Sequence, residues 1–251
     1  MSDSTETDIQ LDVHDSIASI WIDGPEQRNA LTRSSMTCLA SHLETLEAST
    51  SISVVLLRGR GPCFSAGFNL TPVQEHPAAL DEFIEGLGGL LKLIRRHRAT
   101  IIAGVHGAAI AGGCAIVSAC DLVVVTPESK LGYPVHALGL SPIVSGATLT
   151  SSIGDGPARS LLLSGQLIDG RTAYRLGLAT HLDDDAVEAS QALAEKVASS
   201  GPIALARTKS WINELDGSLD DRRFDDPVEA SRPLSGDDET IELLRTRWKR
   251  R

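Results

Sequence analysis

The chain has 251 residues, of which 42% are hydrophobic, and its formal net charge is −10. A chain of this length can bury a sizeable core, and its composition excludes an intrinsically disordered protein. The excess of acidic over basic side chains works against binding a polyanion over a broad surface, so we expect no nucleic-acid partner.

Cysteine usage and the first residues bear on the cellular compartment. The four cysteines (Cys38, Cys63, Cys114 and Cys120) form no CxxC pair, so neither a disulfide framework nor a zinc site is predicted. The opening "MSDSTETD" lacks the basic flank and the apolar run of a signal peptide. We therefore expect a cytoplasmic protein with reduced thiols and no metal.

Short β-rich runs alternate with helical patterns over most of the chain. The runs are residues 16–23, 51–59, 100–105 and 121–126. This alternation predicts an α/β fold. From Asp184 onward only helical patterns occur, so we divide the chain into a core unit, residues 1–194, and a helical region, residues 195–251.

The segment 101–125 is apolar enough to be considered as a membrane span. His106, Asp121 and several glycines interrupt any simple lipid-facing helix, and buried segments of a soluble core have the same composition. We predict a buried strand, a glycine-rich loop over residues 106–113, a short buried helix over residues 114–120 and a second strand. No membrane partner is expected.

The double glycine Gly112-Gly113 stands where this loop becomes a helix. Backbone N–H groups at such a terminus lack intrahelical partners and attract negative charge. Tight packing between strand and helix is the alternative reason for glycine here. A second turn, "GPCFSAGFNL" (61–70), also follows a buried strand, and two such turns can direct two N–H donors at one developing oxyanion.

Four segments of the chain resemble the crotonase family, also called the enoyl-CoA hydratase/isomerase superfamily. They are "PEQRNALT" (25–32), "VVLLRGRGPCFSAGFNL" (54–70), "IIAGVHGAAIAGGCAIVSACDLVVVTPESKLGYP" (101–134) and "GPARSLLLSGQLIDGRTAYRLGLATHL" (156–182). They occur in the family's order and spacing and span most of the chain. The combination is highly specific, although each piece alone is weak.

The resemblance implies a spiral of ββα turns with a C-terminal helical region that forms a homotrimer, often a hexamer of two trimers. It implies an oxyanion hole made by the backbone N–H groups of Phe68 and Gly112, which binds the carbonyl of an acyl-CoA thioester. Coenzyme A enters as part of the substrate, and no other cofactor is implied. The backbone that frames it comes from four residues: Arg28, Ala30, Ala66 and Leu70.

The chain departs from the family at its acid–base positions. Where the hydratases carry two glutamates, this chain has Ala115 and Val135, and where related dehalogenases and dienoyl isomerases use an aspartate it has Ile143. These three residues are expected to line the acyl site without moving protons. His136, next to Val135, is the candidate for a replacement base, and a structural histidine or a contact on the thioester side are its alternative roles.

Two functions remain open from the sequence. The first is a family enzyme that performs hydration, isomerisation or another enolate reaction with a relocated base. The second is a non-catalytic acyl-CoA binding or carrier protein. A nicotinamide-dependent dehydrogenase is discarded, because no GxGxxG with a downstream acidic residue occurs. The basic end "LLRTRWKRR" is either a solvated tail or a contact for CoA phosphates.

Overall fold

The computed structural model describes residues 6–248. Within this range nine strands form two sheets. The strands are β1 (Asp8–His14), β2 (Ile17–Asp23), β3 (Val54–Gly59), β4 (Thr100–Val105), β5 (Ala108–Ile110), β6 (Leu122–Val125), β7 (Lys130–Gly132), β8 (Leu167–Asp169) and β9 (His181–Leu182). The fold is therefore α/β, as the sequence predicts.

The larger sheet has six strands in the order β1-β2-β3-β4-β6-β9. β1 runs antiparallel to β2, and all the other neighbours are parallel. β3 and β4 are buried along their whole length, because the sheet is covered on both faces. This double burial explains why their sequences are continuous apolar runs rather than alternating ones.

The smaller sheet has three strands in the order β5-β7-β8. β5 pairs in parallel with β7, and β7 pairs antiparallel with β8. β5 corrects the prediction that residues 106–113 form only a loop. Its three residues have no strand pattern of their own, and pairing with a partner about twenty residues later along the chain fixes their extended conformation.

Eleven α-helices accompany the strands within residues 6–248. They are α1 (Arg33–Glu47), α2 (Thr71–Glu75), α3 (Ala79–Arg96), α4 (Gly112–Ala119), α5 (Gly146–Ile153), α6 (Asp155–Ser164), α7 (Gly170–Leu176), α8 (Ala186–Ala198), α9 (Pro202–Leu215), α10 (Arg222–Ser231) and α11 (Asp238–Arg247). Short 3₁₀ helices cover Pro25–Gln27, His136–Leu138, Ile143–Ser145 and Arg232–Gly236. None of the helices in the described range has the length and apolar character needed to cross a bilayer.

The two faces of the larger sheet bury different sets of side chains. Val55 and Leu57 of β3 belong to the main core, together with residues of α1, α3 and α4. The alternate residues Val54 and Leu56 pack on the other face in a small cluster with Ala194 of α8. α8 packs against β3, β4 and β6, and the expected boundary between residues 194 and 195 falls within this helix.

The helices after α8 contact the core in two ways: α9 through an ion pair and hydrogen bonds, and α10 and α11 through packing. The Lys209 ammonium of α9 donates to Asp121 Oδ2 at 2.6 Å and to the carbonyls of Ile94 and Ala99. The Asp121 carboxylate also accepts the N–H of Ile101 in β4. α10 packs on α3, and α11 packs on α2 and on the 3₁₀ helix His136–Leu138.

His97, at the end of α3, is a buried histidine with both ring nitrogens engaged. The Ala99 N–H donates to Nδ1, so the proton of the neutral ring lies on Nε2, which donates to the Leu43 carbonyl. Burial lowers the pKa of His97, Lys209 lowers it further, and Glu47, with Oε2 3.5 Å from Nε2, opposes the shift. The folded protein therefore favours the neutral ring.

We expect the free energy of unfolding to fall as the pH drops below about 6.5, the ordinary histidine pKa. Below that value the unfolded chain binds a proton at His97 that the folded chain resists, so stability is present above it and is lost below it. Urea unfolding at pH 7.5 and 5.5 measures this loss, which should shrink in His97→Gln. His14→Gln, at an exposed histidine, should behave as wild type. Equal pH dependence in wild type and His97→Gln would contradict the assignment.

Candidate active site

The loop around Asn29 and the turn after β3 lie side by side in the candidate site, and the side chain of Asn29 joins them. Asn29 is fully buried with a φ of 56°. Its side-chain oxygen accepts the Gly24 N–H, and its amide donates to the carbonyls of Arg60 and Cys63. The Ser65 hydroxyl donates to the Asn29 carbonyl. The loop around Asn29 and the turn after β3 therefore form one rigid unit.

Backbone hydrogen bonds between these loops leave one donor unpaired. The Leu31 N–H donates to the Gly67 carbonyl, and the Asn69 N–H donates to the Leu31 carbonyl. The Phe68 N–H between them has no acceptor among the described residues. Gly67 has a φ of 91°, and a Cβ there would lie 2.9 Å from the Ile110 carbonyl oxygen, so the turn requires glycine.

The start of α4 supplies a second unpaired donor. Ala111 adopts the unusual φ of 48°, and its N–H donates to the Gly132 carbonyl. Gly112 follows as the first helical residue, and its N–H has no acceptor within residues 6–248. A Cβ on Gly112 would lie 2.9 Å from Phe68 Cε1, and one on Gly113 would lie 2.9 Å from Ser65. The glycines thus permit close packing and also leave a donor beside Phe68.

A cavity of about 50 Å³ opens next to these two donors. Most of its wall is aliphatic or aromatic, with Phe68, Leu80, Ile84, Leu87, Val135 and Leu140 among the residues that line it. The polar residues that line it are Tyr133, Ser141 and Ser145. Of the described residues that line this cavity, none carries a carboxylate, an imidazole or an amine.

Tyr133 is buried, and its hydroxyl has no hydrogen-bond partner in the described part of the chain. Burial raises its pKa well above the ordinary value, and the neighbouring Cys114 raises it further. Burial also raises the pKa of the Cys114 thiol to about 12. Near pH 7 both groups are neutral, so neither the phenol nor the thiol is available as a base.

The residues predicted from sequence for the site fall into three groups. Phe68, Gly112 and Val135 line the cavity. Ala115 is fully buried in α4, and Leu70 is buried at the start of α2, neither of them lining the cavity. The remaining three, Arg28, Ala30 and Ala66, lie on the paired loops, where the Ala66 N–H donates to the Arg28 carbonyl.

His136 and Ile143 do not line the cavity beside Phe68 and Gly112. Both border a separate surface groove of about 550 Å³, together with Asp155 and Arg159. His136 is exposed, and its Nδ1 lies 3.3 Å from the position of a Cβ on Gly165. The chain turns into a 3₁₀ helix directly after Val135, which directs the two adjacent side chains to different places.

Tyr133, Ser145 and Leu234 line the cavity but are absent from the sequence-based prediction of the site. Tyr133 directly follows β7 and the Gly132 carbonyl, which accepts the Ala111 N–H. In the sequence, its position in "KLGYP" was the available signal. Leu234 comes from the 3₁₀ helix Arg232–Gly236 in the C-terminal region. No local pattern in the sequence indicates that this leucine reaches the cavity.

The basic residues at the end of the chain have partners within the same subunit where the structure describes them. Arg245 pairs with Glu242, and Arg247 donates to the Ala137 carbonyl. Lys249, Arg250 and Arg251 of the predicted phosphate contact lie outside the described residues. Across residues 6–248 no cluster of three or more His, Cys, Asp or Glu side chains is arranged to hold a metal ion.

Known proteins are similar to this chain over most of its length. A putative enoyl-CoA hydratase of Thermus thermophilus is 34% identical over 208 residues, which cover 80% of this chain and 82% of that protein. The 2,3-dehydroadipyl-CoA hydratase of Escherichia coli is 31% identical over 200 residues, covering 78% of this chain and 77% of the relative.

A crystal structure of an enoyl-CoA hydratase/isomerase from Mycobacterium paratuberculosis superimposes with a TM-score of 0.87 at 24% identity, covering 96% of this chain and 98% of the other. At that identity the match establishes the fold. The sequence model of the family described as enoyl-CoA hydratase/isomerase matches residues 12–220, most of the chain and all the loops that carry the two unpaired donors. The chain therefore belongs to the enoyl-CoA hydratase/isomerase family.

Proposed function

We propose that this protein binds an acyl-CoA thioester and stabilises its enolate through the backbone N–H groups of Phe68 and Gly112. The observation that carries the proposal is the pair of unpaired donors on contacting turns beside an apolar cavity. A thioester carbonyl oxygen accepts both hydrogen bonds, and its charge grows when the α-proton leaves. Donors fixed before the reaction stabilise that charge without reorganisation.

Coenzyme A, which is part of the substrate, would run along the loops that Asn29 joins. Arg28 is exposed there, while Ala30 and Ala66 are partly exposed and present little side-chain bulk. Leu70 anchors the end of the turn in the core. Two relatives support this class of substrate, since one is named as a putative enoyl-CoA hydratase and the other as a 2,3-dehydroadipyl-CoA hydratase. We propose no further cofactor and a cytoplasmic location.

In this proposal, the protein does not act by the hydration mechanism that uses two glutamates. Ala115 and Val135 stand at the positions of the two glutamates, and neither can transfer a proton. The described residues that line the cavity carry no carboxylate, imidazole or amine. This absence of acid–base groups specifically favours the second candidate, a non-catalytic acyl-CoA binding protein. Family membership favours an enzyme with an atypical active site, which we take as the first candidate.

Calorimetry with butyryl-CoA and butyrate tests the proposal. We expect the thioester to bind and the free acid not to bind, because only the thioester engages both the CoA surface and the two N–H donors. Gly112→Ala should weaken butyryl-CoA binding by about tenfold, the equivalent of one hydrogen bond, since the added Cβ displaces the Phe68 ring or the bound carbonyl.

Gly89→Ala is the matched control, because a Cβ at Gly89 in α3 meets no atom within 4 Å. This variant should bind butyryl-CoA as wild type does. Equal affinity of the wild-type protein for butyrate and butyryl-CoA would contradict the proposal.

We also propose that residues 195–251 mediate a homotrimer or a hexamer. The outer face of α9 exposes four large apolar residues, namely Ile203, Trp211, Ile212 and Leu215, at 79%, 59%, 50% and 70% exposure. A groove of about 470 Å³ lies beside this helix, bordered by Ile212 and by the β6 residues Leu122 and Val123. Exposed apolar side chains of this size are typical of protein–protein contacts.

Light scattering should give the mass of three or six chains. Trp211→Glu combined with Leu215→Glu should lower that mass, because the two charges would be buried in the contact. The same exchange at Val13 and Leu163, which are also exposed but lie away from α9, is the control. A monodisperse monomer of the wild-type chain would rule out this assembly.

A further inference from the structure

Helix α11 contacts the turn over residues 135–140, and both ends of this turn line the proposed acyl cavity, the one beside Phe68. Val135 and Leu140 border the cavity. The turn is closed on itself, because the Val135 carbonyl accepts the N–H groups of Leu138 and Leu140. A contact that fixes the middle of this short turn therefore also fixes two residues of the cavity wall.

The side chain of Thr240 in α11 holds the middle of the turn. Thr240 is 2% exposed, and its hydroxyl donates to the Gly139 carbonyl at 3.0 Å. Gly139 has a φ of 73°, and a Cβ there would lie 2.7 Å from Thr240 Cα, so only glycine lets the helix backbone come this close. A second contact, from the exposed Arg247 to the Ala137 carbonyl at 3.2 Å, is open to competition from water. The buried Thr240 bond is thus the stronger restraint on the turn.

The same helix is joined to the segment that follows the Phe68 turn. The Gln74 amide of α2 donates to the carbonyls of Leu244 and Trp248, at 3.1 and 3.0 Å, at the carboxyl end of α11. α11 therefore has anchors that do not depend on the 135–140 turn. Loss of the Thr240 hydrogen bond would release the turn rather than the helix.

The cavity is small enough for the position of this turn to matter. Its volume is about 50 Å³, so an acyl chain that exceeds this space has to displace a wall. Displacing the 135–140 turn separates the Gly139 carbonyl from its buried donor, which costs the free energy of that hydrogen bond. An acyl group that fits the cavity leaves the bond intact. The Thr240 bond therefore discriminates against the longer chain.

We propose that Thr240 is a positioning residue that sets the acyl-length selectivity of the site by holding the 135–140 turn against the cavity. Thr240 does not line the cavity itself, so it acts through the turn. The inference rests on the proposed function, since it needs an acyl-CoA thioester whose acyl group enters the cavity.

Calorimetry with butyryl-CoA and octanoyl-CoA tests the inference. We expect the wild-type protein to bind butyryl-CoA more tightly. Thr240→Val keeps the shape of the side chain and removes the hydroxyl, so it should reduce this preference by about tenfold, the equivalent of one hydrogen bond. Thr240→Ser keeps the hydroxyl and should retain the preference. If Thr240→Val melts below the assay temperature, Thr240→Ala removes the hydroxyl with a better helix former and carries the same expectation.

Thr246→Val is the matched control, because it makes the same exchange on the same helix. The Thr246 hydroxyl is exposed and donates to the Glu242 carbonyl within α11, so this variant should keep the preference.

A purely structural role of Thr240 gives a different result. Thr240→Val would then weaken the binding of both thioesters by the same factor, and the inference would be overturned. Loss of the preference in Thr240→Ser or Thr246→Val would overturn it as well. Equal or tighter binding of octanoyl-CoA by the wild-type protein would overturn it while leaving the proposed function in place. Failure of both thioesters to bind the wild-type protein would reject the proposed function together with the inference.

Discussion

Replacing Lys209 by methionine is expected to lower the free energy of unfolding by about 3–5 kcal/mol, the range for breaking a buried ion pair from one side. The ammonium and its partner Asp121 are both largely buried, with side-chain exposures of 8% and 18%. Without Lys209, the Asp121 carboxylate keeps only the Ile101 N–H, and the carbonyls of Ile94 and Ala99 lose this donor. Urea unfolding at pH 7 measures the loss.

The matched control is Lys196→Met, which removes an exposed lysine from α8 and should change the unfolding free energy by less than about 0.5 kcal/mol. Lys209→Met combined with Asp121→Asn should be more stable than Lys209→Met alone, because no unpaired charge then stays buried. A loss below about 1 kcal/mol in Lys209→Met would mean that the pair does not hold α9 to the core.

Hydration of crotonyl-CoA by this protein is expected to be at least about 100-fold slower than by a relative that carries both glutamates. Positioned acid–base groups contribute about 10²- to 10⁴-fold in rate, and Ala115 and Val135 supply none. The proposed oxyanion hole would still bind the thioester, so the deficit should appear in kcat more than in KM. Loss of the enoyl thioester absorbance measures the rate directly.

Ala115→Glu with Val135→Glu should raise this rate more than either single change, because the two carboxylates address one water molecule. Ala115→Gln with Val135→Gln is the control for size, since it adds similar volume without an ionisable group. Ala115 is fully buried, so the glutamate variant must first be checked for folding by its melting curve. A wild-type rate equal to that of the two-glutamate relative would contradict the assignment of these positions.

The parts of the fold that follow from local pattern were predictable, while those that depend on distant partners were not. β3 and β4 are apolar runs bounded by turn residues, and the sequence predicts both strands at nearly their observed bounds. β5 is extended only because β7 pairs with it. Leu234 reaches the cavity from another region of the chain, and no property of its neighbours in sequence indicates this position.

The candidate site shows the same division. Gly112 was predictable because a double glycine at the start of a buried helix leaves backbone N–H donors open to close approach. Val135 and His136 are adjacent in sequence, yet the first lines the cavity and the second lies in the outer groove. Only the path of the backbone separates them.

The contacts of Lys209 also bear on how copies of this chain would associate. Within a single chain, Lys209 of α9 donates to three acceptors in the core. Trp211 and Leu215 therefore lie on a helix that is already ordered. A second copy that covers these residues would not have to order the helix on arrival, and this preorganisation reduces the entropy lost on association. Encounter between chains would then be limited by orientation rather than by folding.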